Sequence, residues 1–244
     1  MKMTSYVLPS TNPARGALEL IFRSPSVISN ESTFCAAGFQ IQVRKSRSLM
    51  RVAIHPSVPQ YLFKVYFVDE RRCDREKPQG WEGFVNRCRN AEKIRQIIRG
   101  CRLRYFQVPH KWLFVPSIQH PDCSRDDQPV VLVAERLDLV PDAENEQAWL
   151  HSITERHLDE LYIILQAAGG SSYRPDNVRQ AKQGKFAFID TEHAGDERDY
   201  ESITQYLTPR MREYWLVLNK RTTRAPNEQA GARRIVCSNS SWSR

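Results

Sequence analysis

The sequence predicts an α+β chain, with strands gathered in its first half and helices in its second. Three observations carry this. Between positions 39 and 68, short alternating or apolar runs recur with turn residues between them, which is the signature of strands. Between 157 and 168, Leu158, Leu161, Tyr162, Ile164, Leu165 and Ala168 recur at the three-and-four spacing of one buried helical face. From Lys182 a Lys-Gln-Gly turn leads into Lys185 to Ile189, a strand followed at once by an acid, Asp190.

Composition sets the outer bounds. A chain of 244 residues allows one or two domains and is long enough to bury a core. With 41% hydrophobic and 26% charged residues it reads as an ordinary globular protein. The net charge of +8 attracts polyanions, whether nucleic acid, anionic lipid, polyphosphate or nucleotide. Lys and Arg concentrate locally at Arg44 to Arg51, Lys93 to Arg104 and Arg221 to Arg234 without forming one stripe, so solvated faces are favoured over a nucleic-acid site. Six cysteines without CxxC spacing read as reduced thiols. No apolar run approaches the roughly 18 residues of a membrane-spanning helix, and the first residues lack the apolar core of a signal peptide. The expectation is a cytoplasmic protein, or one exported to a host cytosol by a signal not readable in this sequence.

Residues 1 to 16 read as a loose arm. Leu18 to Phe22 and Phe39 to Val43 are expected strands, with the turn-rich SPSVISNESTFCAAG between them. That loop contains no GxGxxG, although a short polar loop can still offer backbone amides to phosphate. Met50 to Ile54 is a further strand, and Tyr61 to Val68 is a longer one interrupted by Lys64. An ammonium buried in mid-strand is costly unless a carboxylate or phosphate meets it. The alternative is an edge strand whose lysine snorkels into water.

After a charged loop over residues 69 to 80, Phe84, Cys88, Ala91, Ile94 and Ile98 mark a helix from Trp81 to Ile98 that Gly100 ends. Glu92 lies near its middle, either as the partner of Lys64 or as an exposed residue paired with a neighbouring arginine. A strand and a Pro-bounded segment follow between 101 and 116, with Trp112 read as core. Val130 to Leu137 is a nearly continuous apolar strand, Pro141 to Asn145 a linker, and Glu146 to Ser152 the first helical stretch beyond it. Ser152 and Glu155 have capping-box spacing ahead of the helix that Gly169-Gly170 stop. Pro175-Asp176-Asn177 is turn chemistry, and it brings Asn177 and Asp190 to the two ends of one hairpin. Two hard oxygen donors at such a mouth suit Mg2+, which keeps several waters and favours substrate phosphates over an all-protein cage. Ile203 to Leu207 and Met211 to Asn219 are expected helices, and the residues after them a tail.

The run from His157 to Glu192 resembles the catalytic core of the protein-kinase-like superfamily. Arg174-Pro175-Asp176-Asn177 matches the Lys-Pro-Glu-Asn of that family's catalytic loop, and Ile189-Asp190-Thr191-Glu192 stands where its Asp-Phe-Gly would be. Lys64, Glu92, Asn177 and Asp190 occur in the family's chain order, so the resemblance covers roughly residues 39 to 192. It implies a two-lobed kinase-like fold: a loose arm over 1–16, an antiparallel-sheet N-lobe over 17–140, a reduced and mainly helical C-lobe over 141–220 and a flexible tail over 221–244. It also implies ATP with Mg2+ in an interlobe cleft. Lys64 would hold the phosphates, Glu92 would orient it, backbone groups near Glu135, Arg136 and Leu137 would receive the adenine, and Asn177 and Asp190 would hold the metal.

One position departs from the family. Five residues before Asn177, the place of the catalytic Asp is taken by Ser172, and the preceding His-Arg is absent. Serine does not accept a proton from a hydroxyl as a carboxylate does. Either another acid, Asp176 or Glu192, substitutes and the chain is an atypical phosphotransferase, or it is a pseudokinase that binds nucleotide or a protein partner as a scaffold or regulator. The stretch beyond Asp190 is short for a peptide-binding helical lobe, which bears on any protein substrate. A nucleic-acid-binding module is the third reading and rests on charge alone.

Overall fold

The structure, a computed structural model, describes residues 3–44, 49–73, 82–118, 120–121, 123, 128–170, 173–193 and 197–223. Ser172 and the tail beyond Thr223 lie outside these residues. The chain divides into two compact units, Met1–Ala91 with Pro109–Leu137, and Glu92–Val108 with Asp138–Arg244. The α+β expectation holds: a five-stranded antiparallel sheet dominates the first unit and helices the second.

In the first unit, strands β1 (Gln40–Arg44), β2 (Met50–Ile54), β3 (Tyr61–Tyr66), β5 (Lys111–Phe114) and β6 (Val131–Glu135) form one sheet in the order β1-β2-β3-β6-β5, while β4 (Phe106–Gln107) belongs to the second unit. Strand β6 lies between two neighbours and Val131 to Ala134 are buried. That is why the sequence shows a continuous apolar run there instead of alternation. One face of the sheet carries Phe63, Val65, Val131 and Val133 into a core completed by Leu18, Phe22, Phe34 and Phe39. The other face carries Leu113 and Leu132 into a smaller core with Phe84, Val85 and Cys88. The last three stand on α4 (Glu82–Gly100), whose residues through Ala91 belong to this unit.

The N-terminal part differs from the expectation. Leu18 to Phe22 is not a strand, because Ala14, Leu18 and Phe22 are buried at helical four-residue spacing within and just after helix α1 (Ala14–Ile21). The turn-rich segment after it contains helix α2 (Glu31–Ala36), begun by an Asn30/Thr33 capping box in which the Asn30 side chain accepts from the Thr33 N–H at 3.0 Å. Ahead of α1, Leu8 is fully buried and its N–H donates to the Leu113 carbonyl at 2.8 Å along β5. Short helix α3 (Val68–Cys73) occupies the start of the expected charged loop.

The second unit is organised on α6 (Glu155–Ala168), whose Leu158, Leu161, Ile164 and Leu165 are all buried in its core. Around it stand α5 (Asp142–His151), α7 (Pro209–Thr223) and a three-stranded sheet in the order β4-β8-β7, formed with β7 (Val178–Gln180) and β8 (Phe186–Phe188). Strand β8 pairs antiparallel with β7 and parallel with β4, so Phe186, Ala187 and Phe188 are buried on both faces. Gly184, at φ +88, closes the hairpin turn in a region that side chains resist. The linker expected at Pro141 to Asn145 is instead the first turn of α5.

Helix α6 is capped by Thr154 and His157 instead of Ser152 and Glu155. The Thr154 N–H donates to His157 Nδ1 at 3.3 Å, and the threonine hydroxyl lies 2.7 Å from the same nitrogen. The ring packs against Tyr105 at 4.3 Å between centroids. Burial holds this imidazole below the ordinary histidine range, opposed in part by the Glu160 carboxylate. The folded state therefore favours the neutral ring, and the unfolded chain takes up the extra proton as pH falls. The stability that His157 contributes is present above about pH 6.5 and is lost as pH drops through the lower folded value. Urea midpoints measured from pH 7.5 to pH 5 are expected to fall more steeply for the wild type than for His157→Gln; parallel pH profiles for the two would refute this assignment.

Candidate functional site

Two side chains bracket the β7–β8 hairpin. The Asn177 carbonyl accepts the Ile189 N–H at 2.9 Å and the Asp190 N–H at 3.4 Å, and Val178 stands opposite Phe188 in the ladder. Asn177 and Asp190 therefore leave the backbone at adjacent points, as their placement at the two ends of one hairpin requires. Asn177 is buried, at 6% exposure, and Asp190 is half-buried. Beyond Asp190, Thr191 is buried and Glu192 half-buried, with the Glu192 N–H 3.4 Å from Asp190 Oδ1.

The loop that presents Asn177 is built as a tight turn and then held from outside. The Asn177 and Val178 N–H groups both donate to the Arg174 carbonyl, at 2.9 and 2.8 Å. Helix α5 supplies the support from two positions one turn apart. Asn145, only 3% exposed, donates from Nδ2 to the Pro175 carbonyl at 2.8 Å and accepts the Gln180 N–H on Oδ1 at 2.8 Å. Trp149 donates from Nε1 to the Val178 carbonyl at 2.9 Å. One buried amide thus ties the residues on either side of Asn177 to the same helix. Sequence reasoning missed both supports, since Asn145 was read as linker; the signal was the Asn-x-x-x-Trp spacing, which sets the two on one helical face.

Asp176 is a different matter. It is exposed, its carboxylate lies 3.4 Å from the Arg174 guanidinium, and it opens on a cavity of about 410 Å³ lined also by Glu146, Trp149, Pro175 and Tyr206. Neighbours in sequence, Asp176 and Asn177 therefore serve different surroundings: one carboxylate in solvent, one amide in the packed loop.

In the first unit, Lys64 stands on β3 between β2 and β6 and is 8% exposed. The edge-strand alternative is excluded, because β3 is an interior strand. Glu92 accepts from the Arg95 guanidinium and, at 3.1 Å, from Gln96 Nε2, so within its own helix the carboxylate has an arginine and an amide as partners. Of the backbone groups expected at an adenine, the Glu135 N–H donates to the His110 carbonyl at 3.0 Å and the Arg136 N–H to the Gln60 carbonyl at 2.8 Å. Both donors are spent inside the first unit. Lys111, at 6% exposure on β5, is a second buried lysine that the sequence reading passed over.

No family model matches this chain, and no curated protein matches it. Among solved structures it is similar to WbdD, at 14% identity and a TM-score of 0.38 over 80% of this chain and 48% of that one. A second is the MAP kinase LmaMPK10 from Leishmania major, at 15% identity and a TM-score of 0.32 over 69% of this chain and 50% of that one. The chain spans about half the length of the solved structures it matches. Likeness at this level assigns neither a fold nor an activity. Among the described residues no helix is long and apolar enough to cross a membrane.

The supports of the loop are testable by stability. Asn145→Ala removes two buried hydrogen bonds and is expected to lower unfolding free energy by about 3 kcal/mol, whereas Asp176→Ala, at an exposed position, changes it by less than about 0.5 kcal/mol. Urea denaturation of the two variants checks the contrast; equal effects would mean that Asn145 does not hold the loop.

Proposed function

We propose that this chain is an atypical kinase-like phosphotransferase that binds ATP with Mg2+. The observation that carries the reading is the hairpin mouth, where Asn177 and Asp190 leave the backbone at hydrogen-bonded neighbours. An amide oxygen and a carboxylate are hard donors that fit Mg2+, and two protein donors suffice for an ion that otherwise coordinates water and substrate phosphate. When bound, the ion would neutralise phosphate charge. Lys64 would contact the phosphates as a point charge on an interior strand. With the Glu135 and Arg136 N–H groups already donated, the adenine contact among the expected backbone donors would fall to Leu137.

Proton removal from the acceptor would fall to Asp176 or Glu192, since Ser172 is not a base. Phosphoryl transfer depends chiefly on positioning and charge neutralisation, so a weak or displaced base lowers the rate without abolishing the reaction. The serine at position 172 also supports a second reading, a pseudokinase that binds nucleotide or a protein partner without transfer.

Millimolar ATP with Mg2+ is expected to raise the melting temperature of the wild type by mass action, and Lys64→Ala or Asp190→Ala to remove most of that rise. Incubation with γ-labelled ATP and candidate acceptors then separates the two readings: transferred label supports the phosphotransferase, and ligand-dependent stabilisation without label supports the pseudokinase. A wild type whose melting point ignores ATP would sink the phosphotransferase and the nucleotide-binding pseudokinase alike, leaving the protein-binding scaffold alone.

A further inference from the structure

The second unit gathers positive charge around Glu160. Helix α4 ends in a run of backbone bonds: the Cys101 N–H donates to the Ile97 carbonyl at 2.9 Å, the Leu103 N–H to the Ile98 carbonyl at 2.9 Å and the Arg102 N–H to the Arg99 carbonyl at 3.2 Å. The carbonyls that would attract a cation at this helix end are thus taken by the chain itself. The next residues dock on α6, where the two carboxylate oxygens of Glu160 accept the Arg104 and Tyr105 N–H groups, each at 2.8 Å. Arg156 lies one turn before Glu160, about 6 Å away on the same side of α6. On the other flank the Tyr105 carbonyl accepts the Phe186 N–H at 2.8 Å, which sets Lys185 beside it. Arg99, Arg102, Arg104, Arg156 and Lys185 are all exposed, and among the described residues none of their side chains enters an ion pair. The neighbouring acids on α6 are engaged elsewhere: Glu155 pairs with Arg210 at 3.0 Å, and Asp159 accepts the Tyr214 hydroxyl at 2.7 Å.

From this cluster we infer that the second unit carries a docking surface for the phosphate backbone of a nucleic acid, bound without regard to sequence. Four of the five cations are arginines, whose planar forks bond two phosphate oxygens at once. The absence of apolar side chains separates nucleic acid from the other polyanions. Among the described residues the exposed large hydrophobics are Leu20, Ile118, Leu150, Leu216 and Val217, and none of them lies on α6, in residues 99–107 or in the β7–β8 hairpin. A protein partner is held by an apolar centre in its interface, and a membrane surface by inserted apolar or aromatic side chains as well as by charge. A nucleic-acid interface is instead polar and strongly positive. Phosphate contacts fix where the ligand lies but carry no sequence information. The surface stands apart from the proposed kinase-like site, none of whose residues takes part in it.

Arg102 supplies a variant that removes charge without cost to the fold. Its φ of 53° is a left-handed value that favours glycine, so Arg102→Gly is expected to keep the wild-type melting temperature or raise it. The test is the anisotropy of a labelled, mixed-sequence duplex titrated with the full chain at several salt concentrations. Five phosphate contacts give a slope of about −4.5 in log Kobs against log salt, an affinity loss of about 500-fold between 50 and 200 mM. Arg102→Gly and Arg104→Gln are each expected to reduce the size of that slope by about 1, and duplexes of different sequence to bind alike. The double variant Arg233→Gln, Arg234→Gln, in the basic stretch after α7, is the control and is expected to leave the slope where it was. A wild type that fails to bind the duplex at low salt would overturn the surface. So would a slope that falls in the control and stays constant in Arg102→Gly and Arg104→Gln, since the binding would then belong to the C-terminal stretch. Tighter binding to phosphatidylserine vesicles or to polyglutamate than to the duplex would replace the nucleic acid by a membrane or an acidic protein.

Discussion

The buried amide of Asn145 is the interaction on which the second unit's loop around Asn177 depends. Its two ends bond to the carbonyl of Pro175 and the amide of Gln180, on either side of Asn177. A loop tip has few apolar contacts of its own, so its conformation must be fixed by hydrogen bonds from a rigid element. Helix α5 is that element, and the indole of Trp149 adds a third bond one turn on. Because these bonds are shielded from water, losing a partner leaves the other group buried and unsatisfied, which costs more than an exposed bond would. The position of Asn177 is thereby coupled to the packing of a helix that bears no charged member of the proposed site.

The elements set by local pattern were legible in the sequence. Strands β2 and β3 and helices α4 and α6 lie where their local pattern puts them, because the apolar side chains that recur along each are the ones the fold buries. The hairpin was readable from the turn residues before β8, and with it the adjacency of Asn177 and Asp190. Short apolar runs were harder. Leu18 to Phe22 satisfies a strand or a helix equally until Ala14 and the packing of all three buried positions are known. The cap of α6 was misread because two candidates, Ser152 and Thr154, compete within three residues, and histidine at the third helical position is a less familiar partner than glutamate.

Non-local arrangements were not legible at all. The parallel pairing of β4 with β8 joins residues eighty positions apart, such as Phe106 and Phe186, and no spacing rule announces it. Lys111 belongs to the same class. In sequence it stands beside Trp112, the one residue of its His-Lys-Trp triplet that reads as core; only the register of β5 on β6 sets Lys111 on the face that carries Lys64. The burial of four cations alongside no buried Asp or Glu, among the described residues, is likewise a property of the fold and not of the net charge of +8. Composition counted the charges, whereas topology selected which of them left water.

The covering of β5 has a consequence for handling the protein. That strand ends the five-stranded sheet, and the backbone at Val7 and Leu8 runs along it, with Leu8 donating to Leu113. An uncovered terminal strand offers unpaired amides and carbonyls as a template for another molecule. Trimming the chain to begin at α1 would therefore convert a soluble edge into a sticky one, and samples shortened in that way would self-associate through β5 long before the sheet itself unravelled.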